Sequence, residues 1–237
     1  MRLNRYIAMC GASSRRGADE LIAQGRVTVN GAEVQTMGMD VNPDQDIVCV
    51  DGRELKLEEK KVYILLNKPT GYISACRDDR GRKTVLSLVG GVRERIFPVG
   101  RLDYDTEGLL LLTNDGDFAY RCTHPAHEVD KQYLVVASGL VGDDALSALR
   151  SGVMIEGYRT HPARVEVIKR RAEETRLRIT IHEGRNRQVR HMLESVGSSV
   201  RYLQRVSEGC LKLGDLRPGE WRYLTADELD RFKRLLQ

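Results

Sequence analysis

The feature that most constrains the fold is an uninterrupted apolar run, residues 109–112, that directly follows an acidic loop. The loop occupies residues 100–108 and reads GRLDYDTEG, and the run after it is LLLL. A short apolar run bounded by turn residues is typical of a buried strand. A carboxylate such as Asp103 is then anchored at the edge of a core, where it can act as a nucleophile or an acid–base group. A tight turn before a buried strand, without chemistry, explains the same pattern.

The chain length and composition fit a folded protein with one large domain, or with a small and a medium one. It has 237 residues, of which 41% are hydrophobic, so a sizeable core is possible. The net charge is +4 with 38 Lys and Arg residues, and the pI is near 8.8. This balance is compatible with a nucleic-acid partner, although clustering of the charge matters more than its total.

The cysteines and the apolar segments indicate the compartment. The 5 cysteines are dispersed and odd in number, and no Cys-x-x-Cys pair occurs. We therefore expect reduced thiols, with no disulfide framework and no zinc site. The N-terminus lacks the apolar region of a signal peptide, and no segment approaches the length of a membrane span. These features predict a soluble, cytoplasmic protein without a membrane partner.

The first 60 residues differ in character from the rest. Apolar spacing predicts a helix over 3–9, and Ser13 or Ser14 can cap a second helix. Asn30-Gly31 is a strong hairpin signal, which Asp51-Gly52 repeats. Residues 56–61 (KLEEKK) are charged and suit a linker.

The first 31 residues are also locally basic. They carry five arginines against two acidic residues. This excess predicts either a basic surface for RNA phosphates or a solvated helix face. The arginines are Arg2, Arg5, Arg15, Arg16 and Arg26.

From residue 62 the chain becomes rich in strands with interspersed helices. Residues 177–181 (LRITI) alternate strictly, as a strand with one wet face does. Asp143 opens a helix. The order of these elements predicts an α+β domain with a mixed, largely antiparallel sheet flanked by helices. The predicted strands are 62–66, 134–136, 165–167 and 177–181.

A second block, residues 183–193 (EGRNRQVRHML), concentrates arginines at a strand-to-helix junction. Asn186 is a plausible N-cap, and Gly197 suits the C-terminal stop. The arginines are unfavourable together unless an anion meets them, so RNA phosphates or a buried carboxylate are candidates. A solvated basic helix face is the alternative. The arginines are Arg185, Arg187 and Arg190.

Two resemblances follow from these motifs. Residues 3–7 (LNRYI), 11–16 (GASSRR), 21–22 (LI) and 25–31 (GRVTVNG) resemble the small helical RNA-binding domain of S-four type. Four later motifs resemble the ribosomal pseudouridine synthases typified by small-subunit synthase A and large-subunit synthase B. These are residues 68–71 (KPTG), 100–116 (GRLDYDTEGLLLLTNDG), 131–135 (KQYLV) and 183–190 (EGRNRQVR). Residues 81–85 and the pair Tyr104-Asp105 are more similar to the large-subunit type.

The resemblance implies an organisation and an activity. It implies an S-four-type RNA-binding domain over 1–58 and a pseudouridine synthase domain over 62–237. It implies that the protein isomerises a specific uridine of ribosomal RNA, in the large subunit by the finer similarity. Isomerisation needs no redox change and no water, so neither cofactor nor metal is expected. The expected partner is folded RNA with a flipped uridine, bound by a monomer.

The resemblance also implies roles for individual residues. Asp103 matches the catalytic aspartate, and Arg190 matches the basic partner that keeps it ionised. Tyr133 matches the tyrosine that packs on the target base. The remaining RNA-binding residues would grip the backbone. They are Arg101, Arg185, Arg187 and Lys68, with Arg5, Arg15, Arg16 and Arg26 on the N-terminal domain.

Several alternatives stay open. A non-catalytic RNA-binding factor of ribosome assembly would keep the affinity but not the reaction. A synthase of the same family acting on another RNA site, and a hydrolase that releases uracil, would share the carboxylate. The acidic residues near Asp103 suggest paired-carboxylate chemistry, but turn formation at 114–116 explains the later ones more simply. They are Asp105, Asp115 and Asp117.

Other positions carry weaker signals. His124 and His127 invite a metal interpretation, but Pro125 breaks any helix that would align the rings. Residues 221–223 (WRY) predict a core strand rather than a stacking platform for RNA. His191 replaces an arginine common in the family, and Glu107 stands where a small residue is usual, so RNA grip or pH response is expected to differ.

Overall fold

The computed structural model describes residues 1–34, 36–57 and 60–236, and these divide into two compact units. The first unit comprises the described part of Met1–Val62 together with Val92–Ile96 and Asn114–Gly116. The second unit comprises Tyr63–Gly91, Phe97–Thr113 and the chain from Asp117 onward. The predicted linker, 56–61, includes Glu58 and Glu59, which lie outside the described residues.

The first unit is a helical pair beside a small antiparallel sheet. Of the two serines predicted as caps, Ser14 caps the second helix by accepting a hydrogen bond from the Gly17 amide at 2.9 Å. Asn30 and Gly31 both have positive φ, which is the conformation that a tight hairpin requires. The strand order is β2-β1-β3-β4. The elements are α1 (Leu3–Met9), α2 (Arg15–Ala23), β1 (Val27–Val29), β2 (Ala32–Glu33), β3 (Val48–Val50) and β4 (Arg53–Glu54).

The second unit is built on one large sheet. Its principal strand order is β11-β12-β8-β13-β7-β5-β15, and β6 and β14 extend it off this path. Strands β9 and β10 form a separate two-stranded sheet. Among the described residues, the pairing of β13 with β7 is parallel and the other strand pairings of this sheet are antiparallel. The predicted mixed, largely antiparallel α+β architecture is therefore confirmed. The strands are β5 (Tyr63–Lys68), β6 (Phe97–Val99), β7 (Glu107–Thr113), β8 (Lys131–Ser138), β9 (Met154–Ile155), β10 (Tyr158–Arg159), β11 (Arg164–Arg170), β12 (Glu174–Ile181), β13 (Val200–Glu208), β14 (Leu211–Lys212) and β15 (Trp221–Tyr223). The helices are α3 (Gly116–Thr123), α4 (Asp143–Ser151), α5 (Gln188–Ser195) and α6 (Ala226–Leu235).

Strand β7 lies in the middle of this sheet. The leucines at 109–112 are at most 1% exposed, because β7 is paired on both edges and covered on both faces. The loop at 100–106 enters β7 directly. The run of leucines therefore fixes the position of Asp103 at the edge of the core, as predicted.

Two predicted boundaries differ from the structure. Strand β5 continues through Asn67 and Lys68, beyond the predicted strand 62–66, because both residues pair with β7. Helix α5 has Arg187 rather than Asn186 at its N-cap, in the left-handed conformation with φ of 48°. The Gln188 side chain accepts a hydrogen bond from the Arg185 amide at 3.0 Å, which ties the loop before α5 to the first helical residue.

Within the described residues, each helix is too short or too polar to cross a bilayer.

Candidate active site

The second unit contains a cavity of about 600 Å³ at the edge of the sheet. Six segments of the chain form its wall. They are the loop before β7, the end of α3 with the turn after it, the start of β8, the turn between β10 and β11, the segment from the end of β12 to the start of α5, and the end of β13. A volume of this size suits a ligand of nucleoside dimensions or somewhat larger. Lining residues from the predicted site are Arg101, Asp103, Tyr133, Arg185 and Arg187.

Asp103 lies on the loop between β6 and β7, with its side chain 28% exposed at the cavity. The buried Lys68 fixes this loop by hydrogen bonds to its backbone. Its ammonium donates to the backbone carbonyls of Asp103 at 2.9 Å, Thr106 at 2.8 Å and Pro69 at 3.1 Å. The Thr106 amide also donates to the Asp103 carbonyl at 3.1 Å. The backbone that carries the carboxylate is thus fixed by the core.

This placement corrects the prediction that Lys68 contacts RNA. Its relative exposure is 0%, and its ammonium is occupied by three carbonyls. Burial lowers the pKa of Lys68 to about 8, against the opposing charges of Asp103 and other nearby carboxylates. The lysine was mistaken for a phosphate ligand because the sequence does not show that β5 extends to it.

We expect Lys68→Met to destabilise the second unit by about 2–4 kcal/mol, because three buried carbonyls lose their donor. The unfolded state holds a proton on Lys68 up to a higher pH than the folded state does. Wild-type stability relative to the variant should therefore rise with pH between about 8 and 10.5. Urea unfolding followed by Trp221 fluorescence at several pH values measures both effects.

Arg101→Ala is the matched control for this prediction. Arg101 is exposed at the cavity, so its loss should leave stability within about 0.5 kcal/mol of wild type. If Arg101 binds a phosphate, its loss should reduce the salt dependence of RNA binding by about one unit of slope. A Lys68→Met protein of unchanged stability and reduced salt slope would restore Lys68 as an RNA ligand.

The two arginines of α5 and its N-cap converge on Asp105 rather than on Asp103. Arg187 donates to both Asp105 carboxylate oxygens at 3.0–3.3 Å. Arg190, which is 7% exposed, donates to the Asp105 carbonyl at 2.8 Å and lies 3.3 Å from its carboxylate. Burial opposes ionisation of Asp105, but the two arginines outweigh it and lower the pKa of the carboxyl.

The prediction that Arg190 is the direct partner of Asp103 is therefore wrong for this structure. The ion pair that the structure gives Asp103 is with Arg187, at 4.0 Å. Arg190 is not part of the cavity wall, and Asp103 reaches it only as a more distant charge. Asp105 lies two residues after Asp103 on the same loop. Its carboxylate and its backbone carbonyl contact the arginines at the start of α5, so these arginines pair with Asp105 instead.

Tyr133 lies on β8 with 8% exposure and borders the cavity. Burial raises the pKa of its hydroxyl. Its cross-strand neighbours are Ile179 on β12 and Arg205 on β13. A largely apolar ring held in the sheet in this way offers a stacking surface to a planar base.

Sequence reasoning missed two charged residues of the wall, Arg205 and Glu208. Each is 3% exposed, and their side chains lie 3.4 Å apart. The Arg205 Nε donates to the Leu109 carbonyl at 2.7 Å, and the ion pair joins its Nη2 to the Glu208 Oε2. The signal was available, because Arg205 continues the inward alternation of Leu203 on a strand. An arginine at a buried strand position is expected to have polar partners inside the protein.

The other predicted arginines occupy different environments. Arg185 is exposed, with its guanidinium 3.7 Å from the centre of the Tyr158 ring. In the first unit, Arg15 and Arg16 are exposed and Arg5 is half-buried. Arg26 forms a two-pronged ion pair with Asp51 at 2.8 and 2.5 Å.

The two unusual residues noted in the sequence have partners of their own. Glu107 accepts a hydrogen bond from the Tyr202 hydroxyl at 2.9 Å, and burial together with this bond raises the pKa of Tyr202 to about 12. His191 Nδ1 lies 3.4 Å from a carboxylate oxygen of Glu156. A change in RNA grip or pH response at these positions stays a prediction.

Comparison with known proteins identifies the family. The model of RNA pseudouridylate synthases matches residues 62–195, and the S4 domain model matches residues 1–47. The chain belongs to the RNA pseudouridylate synthase family. It is a pseudouridine synthase with an N-terminal S4 domain, and RNA is its partner. The resemblances found in the sequence are confirmed.

Individual relatives match nearly the whole chain. Ribosomal large subunit pseudouridine synthase B of Bacillus subtilis is 44% identical over 236 residues, which cover 99% of this chain and 96% of the relative. An uncharacterized RNA pseudouridine synthase of Aquifex aeolicus is 44% identical over 97% of this chain and 92% of its own length. A crystal structure of a pseudouridylate synthase aligns with a TM-score of 0.71 and 31% identity, covering 98% of this synthase and 99% of that chain.

Proposed function

We propose that the synthase converts a specific uridine of large-subunit ribosomal RNA to pseudouridine, with Asp103 as the catalytic carboxylate. The observation that carries the proposal is a cavity whose wall contains both Asp103, from the loop before β7, and Tyr133, from β8. The similarity to large-subunit synthase B over nearly the full chain supports the choice of RNA.

The reaction breaks the bond between N1 of the base and C1′ of the ribose, and joins C5 to C1′. C5 loses a proton and N1 gains one, so water is not consumed. Asp103 attacks the nucleoside or stabilises the separated base and sugar, and the enclosed wall keeps water from the intermediate. Tyr133 packs on the base, and Arg205 beside it orients the phenol.

A uridine in folded RNA must leave its stack to enter this cavity. Extrusion costs a few kcal/mol, which stacking on an aromatic ring and contacts with the base edge offset. Arg101, Arg185 and Arg187 at the rim bind the neighbouring backbone. The Arg187–Asp105–Arg190 contacts hold α5 against the loop of Asp103. The protein acts as a monomer in the cytoplasm, and the S4 domain supplies affinity for structured RNA.

The proposal is tested with ribosomal RNA from cells that lack the protein. Incubation with purified synthase should restore one pseudouridine in the large-subunit RNA, located by site mapping. Chromatography should show that pseudouridine formed equals uridine lost, without free uracil. Release of uracil would support the hydrolase alternative, and tight RNA binding without any conversion would support a non-catalytic assembly factor.

A further inference from the structure

An aromatic cluster extends outward from the rim of the cavity. The rings of Tyr120 and His124 have centroids 5.0 Å apart, and those of His124 and His127 are 6.1 Å apart. His124 is part of the cavity wall, whereas the other two rings are not. In the sequence only His124 and His127 were considered, as a metal pair that Pro125 disfavours, and the proposed mechanism uses none of the three rings.

The backbone fixes these rings in place. Tyr120 lies on the last turns of α3, and the His124 amide donates to its carbonyl at 2.9 Å. Pro125 then begins a 3₁₀ turn, in which the Ala126 amide donates to His124 Nδ1 at 3.3 Å. This bond occupies one ring nitrogen of His124 and orients its imidazole.

Tyr120 is not packed in the hydrophobic core. Its side chain is 62% exposed, which is high for a tyrosine beside a cavity. Single exposed apolar groups are common on protein surfaces, but a row of three rings leading from a binding cavity is a surface of a different kind. Two exposed arginines supply positive charge: Arg121 directly follows Tyr120 in the chain, and Arg101 lines the same cavity as His124.

We infer that the ring of Tyr120, backed by His124, is a stacking site for a nucleobase adjacent to the target uridine. The inference rests on the proposed function, because it assumes that the cavity holds a uridine of the same RNA strand. A base has an apolar π-face and a charged backbone, and this combination matches an exposed aromatic ring with arginines nearby. The ring recognises any base by its face, so the site binds unstacked RNA without reading a sequence.

The test uses a short single-stranded RNA with a central uridine next to 2-aminopurine, whose fluorescence is quenched by stacking. We expect Tyr120→Ala to raise the Kd for this RNA about tenfold and to remove the quenching. Tyr120→Phe should stay within about twofold of wild type, because the ring and not the hydroxyl makes the contact. Since the ring is uncharged, the salt dependence of binding should not change in Tyr120→Ala.

Tyr223→Ala is the matched control, because Tyr223 is 49% exposed and lies outside the cavity wall. With ribosomal RNA as substrate, Tyr120→Ala should raise KM about tenfold and leave kcat unchanged. Thermal unfolding of both variants should match wild type.

Two results would overturn the inference, and each differs from failure of the proposed function. If Tyr120→Ala and the control Tyr223→Ala show the same RNA affinity, the same quenching and the same KM, Tyr120 is not a stacking site. A reduced salt slope with unchanged quenching would mean that the loss is electrostatic. If wild type stacks 2-aminopurine through Tyr120 but converts no uridine, the proposed function fails and the stacking site stands.

Discussion

Asp103→Asn should reduce pseudouridine formation by at least about a thousandfold, a loss of about 4 kcal/mol of transition-state stabilisation. Asparagine has the shape of aspartate but is neither a nucleophile nor a negative charge. RNA binding should remain within about threefold of wild type, since the change removes an acidic group from a site that binds an anion. The backbone carbonyl that accepts from Lys68 is retained, so the loop keeps its conformation. Single-turnover assays on unmodified ribosomal RNA, with binding measured in parallel, give both quantities.

Asp105→Asn is the control that identifies the carboxylate. Asp105 is engaged by Arg187 and Arg190, so its role is to hold α5 against the loop. Its loss should lower the rate by about tenfold, because the arginines shift while Asp103 remains. If Asp105→Asn abolished conversion and Asp103→Asn did not, the catalytic assignment would move to Asp105.

Gly108→Ala should destabilise the second unit by about 3–5 kcal/mol or prevent its folding. Gly108 has φ of +110°, and a Cβ there would lie 2.2 Å from the carbonyl oxygen and 2.6 Å from the amide nitrogen of Arg205. These atoms belong to β13 where it pairs in parallel with β7. Neither backbone can move without breaking the pairing that brings Arg205 next to the strand entered from the Asp103 loop. Urea unfolding followed by the fluorescence of Trp221, the single tryptophan, measures the change.

Gly116→Ala provides the comparison on the same strand–helix segment. A Cβ at Gly116 would meet nothing within 4 Å, and the residue begins α3. Stability should therefore stay within about 0.5 kcal/mol of wild type or rise slightly, because alanine favours a helix. Equal stability of the two variants would mean that the close approach at Gly108 relaxes without cost.

Local patterns predicted the elements better than their ends. Ser14 as a cap and Asn30-Gly31 as a hairpin were correct, because caps and turns depend on residues adjacent in the chain. The predicted end of β5 was two residues too early, because pairing with β7 extends the strand, and the predicted cap of α5 was one residue too early. Where an element can end at one of several adjacent residues, tertiary contacts decide which residue it is.

The sequence by itself determined the family, the α+β class and the position of Asp103, because a buried apolar run and ordered motifs are properties of the chain alone. The tertiary structure decided which charges meet. Lys68 is buried and donates hydrogen bonds to the loop of Asp103. Arg190 on α5 contacts Asp105 rather than Asp103, and Arg205 lines the cavity. Each of these contacts joins segments far apart in the chain, and the free energy of an ion pair or hydrogen bond depends on the burial and distance that only folding sets.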